Sequence, residues 1–167
     1  MEKILVTYAT KYGATKEIAE KISEVLRQSE LQTDVVSVDR IRDLTPYKAV
    51  ILGSAVYMGK WRKEAVEFLK KNVQALAERP VWLFSSGPTG EGNPVELLKG
   101  WRIPGELQPM VDQIKPREIA VFHGNLSVEK MNFLEKGMIK NVKAPVGDFR
   151  DWEAITDWAI MIAKGLG

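Results

Sequence analysis

Apolar residues gather in five short runs separated by longer amphipathic stretches. The runs are Lys3–Tyr8 (KILVTY), Asp34–Val38 (DVVSV), Lys48–Gly53 (KAVILG), Val81–Ser85 (VWLFS) and, after Pro116, Glu118–Phe122 (EIAVF). The first, third and fourth are nearly continuous in apolar residues. Strands covered on both faces look like this, and parallel sheets are the usual reason. Between them the period changes. After Thr15, Ile18, Ile22, Val25 and Leu26 fall on one face of a helix. Thr15 is the expected N-cap, and Glu17 lies in the first turn, where the helix dipole favours an acid. Arg62–Val73 carries Ala65, Val66, Phe68, Leu69 and Val73 at helical spacing. Near the C-terminus Ile155, Trp158, Ala159 and Ile162 repeat the same face, with Asp151 as the cap.

The order is strand, helix, strand, strand, helix, strand, a loop with a short helix, strand, and a last helix. Alternation of this kind predicts an α/β fold with a parallel sheet covered on both faces. Asp39–Tyr47 joins the second and third runs, and Ile41 and Leu44 fit a helical turn there. Two segments fit the scheme less well. Gly87–Gly105 is rich in glycine and proline and long for a connection. Gly124–Gly147 holds Met131-Asn132-Phe133-Leu134 and then Met138, Ile139 and Val142, interspersed with Lys130, Lys136, Lys140 and Lys143. An extra helix packed on the domain explains it, as does a surface for a partner or a membrane.

Composition narrows the chemistry. The chain has 167 residues, no cysteine and one histidine, His123. The length suits one domain spanning residues 1–167. Disulfides, thiolate zinc sites, iron–sulfur clusters and cysteine nucleophiles are excluded, and no metal site is expected. The longest apolar run, Trp158–Ala163, is far short of the roughly 20 residues of a bilayer span. The N-terminus lacks the pattern of a signal peptide, so the expected location is the cytoplasm. The 24 basic residues against 22 acidic ones give a net charge of +2, too balanced for a nucleic-acid binder. Lys60, Arg62, Lys63, Lys70 and Lys71 cluster locally, as the solvated face of a helix does.

In an open α/β sheet, ligands bind beyond the carboxyl ends of the strands, where the strand order reverses. The loop after the first strand, Ala9-Thr10-Lys11-Tyr12-Gly13-Ala14-Thr15, leads straight into a helix. Hydroxyls and a glycine before a helix N-terminus suit an anion, though the loop is neither a Walker A sequence nor Gly-x-Gly-x-x-Gly. After the third strand, Gly53-Ser54-Ala55-Val56-Tyr57-Met58-Gly59-Lys60-Trp61 offers close backbone approach and two aromatic rings, Tyr57 and Trp61, for stacking. After the fourth, Ser85-Ser86-Gly87-Pro88-Thr89-Gly90 is small and polar. One loop for a phosphate and two for a flat heterocycle imply a mononucleotide. No acid–base pair stands out and no catalytic side chain is assigned, so the ligand carries the chemistry. A receiver domain needs an aspartate where this chain has Gly53-Ser54, and a hydrolase needs a Gly-x-Ser-x-Gly elbow that is missing. His123 is expected at a strand end, held by backbone groups.

These loops resemble those of flavodoxin-like proteins: Thr10–Thr15 their phosphate loop, and Gly53–Gly59 their first isoalloxazine loop. The resemblance is closest to the flavodoxin-domain branch that includes the menaquinone-dependent protoporphyrinogen dehydrogenases. It is carried there by the Phe68 helix, Phe84-Ser85-Ser86-Gly87-Pro88 and Gly147-Asp148-Phe149-Arg150-Asp151-Trp152. The resemblance implies a three-layer, doubly wound, five-stranded parallel sheet of order 2-1-3-4-5 that binds FMN. Thr10, Lys11, Tyr12, Gly13, Ala14 and Thr15 would hold the 5′-phosphate. Ser54, Ala55, Val56, Tyr57, Met58 and Gly59 would line one side of the ring. Ser85, Ser86, Gly87, Pro88 and Thr89 would meet its polar edge or the ribityl chain. The insertion of long-chain members would correspond to part of 124–147.

The function so implied is an FMN-dependent oxidoreductase passing electrons or hydride onward, to a quinone for instance, with a porphyrinogen as one candidate donor. Peripheral membrane contact stays open, as does the oligomeric state. The alternative is an electron shuttle whose protein partners dock near Tyr57, Trp61 and Trp101. Shuttle flavodoxins are typically acidic, whereas this chain has a pI near 8.7. A flavin-free scaffold is the non-redox alternative.

Overall fold

The computed structural model describes residues 3–98, 100–127, 134–137 and 145–167. Met131, Asn132, Phe133, Met138, Ile139 and Val142, with Lys130, Lys140 and Lys143, lie outside the described residues.

Each apolar run is a strand, within a few residues at its ends. They are β1 (Lys3–Ala9), β2 (Thr33–Ser37), β3 (Tyr47–Tyr57), β5 (Val81–Ser86) and β6 (Glu118–Phe122). All five pair in parallel, in the order β2-β1-β3-β5-β6. Counting the parallel strands alone, this is the expected order 2-1-3-4-5. Helices α1 (Ala14–Gln28), α2 (Lys63–Ala77), α3 (Pro94–Leu97), α4 (Gln108–Ile114) and α5 (Trp152–Leu166) connect or follow them.

Strand β1 shows why both faces are apolar. Ile4, Val6 and Tyr8 join a core with Ile18, Ile22 and Leu26 of α1 and Ile155, Ala159 and Ile162 of α5. Leu5 and Ala9 point the other way, into a core with Ala65, Phe68 and Leu69 of α2 and Val111 and Ile114 of α4. Side chains alternate along a strand, so a continuous apolar run fills two cores at once. Each fully buried aliphatic side chain contributes about 1.5–3 kcal/mol of transfer free energy.

Four local expectations are corrected. Thr15 is not the cap of α1: Gly13 holds that position with φ 97°, no side chain among the described residues caps the helix, and Thr15 is buried inside it. The loop expected from Ser54 is strand as far as Tyr57, because the short antiparallel strand β4 (Lys60–Trp61) pairs with its extension. The two-residue turn between them, Met58-Gly59, has φ of 52° and 75°. Positive φ at both positions matches the twist of a tight hairpin, but Met-Gly lacks the Asn-Gly or Asp-Gly signature. The helical turn expected around Ile41 and Leu44 forms earlier, as a 3-10 turn at Val38–Arg40. The last helical segment, by contrast, starts as predicted, with Asp151 Oδ1 accepting from Ala154 N at 3.0 Å. A fourth difference concerns Trp61. It is 4% exposed and packed in the α2-side core, so its ring is not free to stack on a ligand.

Candidate functional site

The strand order reverses at β1, whose neighbours are β2 and β3. Helix α1 leaves β1 for one face of the sheet and α2 follows β3 and its hairpin on the other, so a crevice opens between the carboxyl ends of β1 and β3. A cleft of about 570 Å³, open mouth included, lies there.

The first loop contributes Thr10, Lys11, Tyr12, Ala14 and Thr15. Its shape follows from one hydrogen bond: Gly13 N donates to Thr10 Oγ1 at 3.0 Å. The left-handed φ of Gly13 then turns the chain into α1, where Glu17 N makes the first intrahelical bond to Gly13 O. The amides of residues 14–16 have no partner within the helix, and the dipole there favours negative charge. The Arg150 guanidinium secures this helix start from outside. It donates to Ala14 O and to Glu17, and it forks onto Asp148. That pairing holds the Asp148 carboxyl below the usual carboxylate range.

The end of β3 contributes Ala55, Val56 and Tyr57, and the end of β5 contributes Ser86 and Gly87. Thr15 Oγ1 and Ser86 Oγ lie 3.2 Å apart at the buried floor, linking the first and third predicted loops. The Tyr57 hydroxyl is buried and, among the described residues, has no hydrogen-bond partner. Lys11 Nζ sits 4.8 Å from the centroid of the Tyr57 ring and 5.4 Å from that of Tyr12.

The other predicted residues support the cleft from behind or flank it. Ser54 and Ser85 are fully buried with committed hydroxyls. Ser54 Oγ accepts from Arg62 N at 2.9 Å and donates to Ala55 O. Ser85 Oγ accepts from Trp61 Nε1 at 2.8 Å and donates to Arg102 O at 2.7 Å. Both serines thus tie the β4 hairpin to the sheet. Gly13, Met58, Gly59, Pro88 and Thr89 are not among the residues lining the cleft. His123 sits at a strand end as expected, with Nδ1 facing Pro88 O at 3.2 Å and Nε2 facing Gly92 O at 2.7 Å.

Four lining residues went unread in the sequence: Arg62, Gly124, Asn125 and Leu126. Gly124 follows β6, and every parallel strand ends at the same edge of the sheet, so the loop after the fifth run belonged with the other three. A Cβ on Gly124 would meet the Gly87 backbone at 2.8–3.0 Å, and one on Gly87 would meet Val56 O at 2.8 Å. Glycines at both positions let three backbones close the far wall. Asn125–Leu126 forms strand β7, paired with β8 (Gly147–Asp148). Arg62 had no such signal, because only the hairpin turn aims it inward.

One acid also reaches the first loop. Glu135, from the helical stretch 134–137, accepts hydrogen bonds from Lys11 Nζ and Tyr12 OH. It is 6% exposed. Its carboxylate raises the Lys11 ammonium above the ordinary lysine value.

A doubly wound sheet whose cleft lies at the β1/β3 reversal, floored by a hydroxyl-bearing loop before a helix, defines the flavodoxin-like class, the type case of this strand order. A sequence model described as "Flavodoxin domain" matches residues 5–152, and the chain belongs to that family. The protoporphyrinogen IX dehydrogenase [quinone] of Escherichia coli (strain K12) is 26% identical over 172 aligned residues, which cover 96% of this chain and 94% of the relative. A flavodoxin from the domain Archaea superposes with a TM-score of 0.64 at 16% identity, covering 98% of each chain. The rubredoxin oxygen:oxidoreductase of Desulfovibrio gigas superposes with 0.65 at 14% identity, covering 99% of this chain and 36% of that one. At these identities the structural likeness is one of fold.

Proposed function

We propose that this chain binds FMN in the β1/β3 cleft and acts as an oxidoreductase that passes electrons through it. The observation that carries the reading is the convergence of three separately predicted loops on one cleft. The residues present fit the group. Hydroxyls of Thr10 and Thr15, first-turn amides with no partner within the helix, and Lys11 suit a phosphate monoester. The Tyr57 ring and the Ala55–Val56 wall suit a flat heterocycle. Bound FMN would supply the hydride- and electron-accepting chemistry; the protein would anchor the phosphate, orient the ring and limit water around it.

Likeness to a quinone-linked dehydrogenase over 94% of that protein's length supports a quinone acceptor, with a porphyrinogen as candidate donor. A redox protein is the alternative partner, and its docking face would be acidic, to complement this basic chain. No described helix is long and apolar enough to cross a membrane. We place the protein in the cytoplasm and propose one domain over residues 1–167, with an insertion near 124–147.

The test is an absorption spectrum of the purified protein, then titration of the apo form with FMN and photoreduction in the same cuvette. A yellow protein with tight one-to-one binding is expected. Uptake of electrons in pairs with fast quinone turnover would mark the enzyme, and stepwise single-electron uptake the shuttle. A colourless protein that ignores FMN refutes both.

A further inference from the structure

The Glu135 carboxylate accepts hydrogen bonds from the loop that is expected to hold a ligand's negative charge. An acid this buried requires charged or hydrogen-bonding partners, and Glu135 takes them from the phosphate loop itself, Lys11 Nζ and Tyr12 OH. Both residues line the cleft, and Lys11 is the exposed residue of the loop. The inner groups are occupied separately: Thr10 Oγ1 accepts from Gly13 N, and Thr15 Oγ1 pairs with Ser86 Oγ. Glu17, the acid of the first turn of α1, is turned to Arg150. The loop therefore has an inner layer of hydroxyls and an outer layer bound to an anion of the protein's own.

We propose that Glu135 is an internal competitor for the outer half of the phosphate site, so that a phosphate monoester binds by taking Lys11 and Tyr12 from it. The inference rests on the FMN reading for the ligand's identity, but its chemistry concerns phosphate alone. Two anions cannot share one ammonium and one phenol without like-charge repulsion. Phosphate binding thus carries the cost of displacing a charge-assisted pair, and the stretch 134–137 loses its tie to the loop when the ligand arrives. Glu135 thereby sets how far the site prefers a phosphorylated ligand to the same ligand without its phosphate. No bond is made or broken; only hydrogen-bond partners are exchanged.

Glu135→Gln tests this, with FMN, riboflavin and inorganic phosphate as probes of the apo-protein. The substitution keeps the size of the side chain and gives up its charge. Releasing a charge-assisted pair corresponds to about a tenfold or larger change in affinity. FMN and inorganic phosphate are expected to bind at least tenfold more tightly to the variant, with riboflavin changed less than threefold. Weaker FMN binding by the variant would show that Glu135 supports the loop instead, and an equal change for FMN and riboflavin would remove phosphate from the account; either overturns the proposal. If neither flavin binds either protein, the FMN reading fails, and inorganic phosphate still judges the competitor. Hydrogen exchange on the wild-type chain guards against a variant that folds poorly. Exchange at 134–137 is expected to rise with FMN or inorganic phosphate and not with riboflavin. A fall on adding FMN would mean the carboxylate stays and closes over the ligand, which refutes the proposal.

Discussion

Replacing Gly53 with alanine probes the packing that carries β3 into the cleft. Gly53 pairs in register with Tyr8 of β1 and Phe84 of β5. A Cβ on it would lie 1.9 Å from Phe84 Cζ, 2.0 Å from Cε1 and 2.2 Å from Cε2. Ordinary carbon–carbon contacts are about 3.5–4 Å, so the ring must retreat by roughly 1.5 Å. It has nowhere to go. Phe84 is fully buried, with Phe122 and Trp158 at centroid distances of 5.7 and 6.1 Å. Overpacking a tight core costs about 1–3 kcal/mol, and a clash with three ring atoms belongs at the upper end. For a chain of this size each kcal/mol lowers Tm by about 2–4 °C, so Gly53→Ala should lose about 6–12 °C. Circular dichroism melts of Gly53→Ala, Phe84→Leu and the double variant decide it. Shortening Phe84 removes the clashing atoms, so alanine at 53 should cost less than about 1 kcal/mol in that background. A Gly53→Ala melt within 2 °C of wild type, or the same cost in both backgrounds, would refute the assignment.

Thr15→Val keeps the shape of a buried side chain and removes the hydroxyl beside Ser86. FMN should bind about tenfold more weakly and riboflavin unchanged, since a hydrogen bond to a charged group contributes about 1.5–3 kcal/mol; equal FMN affinity would take Thr15 out of the anchor. The Tyr47 phenol is pushed up to about 12, first by burial and then by donating to Asp34. A raised folded value means stability that is present below the unfolded value, near 10, and lost as pH rises through about 12. Urea midpoints should fall across that window, and Tyr47→Phe should flatten the fall, leaving the part due to Tyr12, raised by burial and Glu135, and to Lys11, raised by its bond to Glu135; identical alkaline profiles would disprove the role. Met58→Asn places a residue tolerant of left-handed backbone at φ 52°. A gain of about 0.5–1 kcal/mol, read as a Tm rise of about 1–4 °C, is expected, and no rise would mean the turn is unstrained.

The parts legible in advance were those written in local patterns. Both-face apolar runs announced parallel strands, and the i, i+4, i+7 spacing of Ile18, Ile22 and Val25 announced α1. Three loops with the right residue types named ten of the residues that line the cleft. Readings failed where specific side-chain contacts, most of them remote in sequence, decided. Thr15 has a cap's chemistry, yet the bond between Gly13 N and Thr10 Oγ1 starts the helix earlier and sends Thr15 inward to Ser86. Trp61 stands in an aromatic loop, yet its indole N–H finds Ser85 across the sheet and the ring goes into the core.

The sequence by itself determined the class of fold and the edge of the sheet that holds the site. Side-chain alternation and the handedness of strand–helix–strand units leave few arrangements for this order of elements. Only the tertiary structure decided which groups face the cleft and which are consumed in building it. Ser54 and Ser85 carry the residue types of a binding loop, but Ser54 accepts from a partner eight positions away and both partners of Ser85 lie seventeen or more away. Lys11 and Glu135 are separated by 124 positions and meet over the phosphate loop. No local pattern encodes such a pair, because a charge finds its partner only after the strands have brought distant loops to one edge.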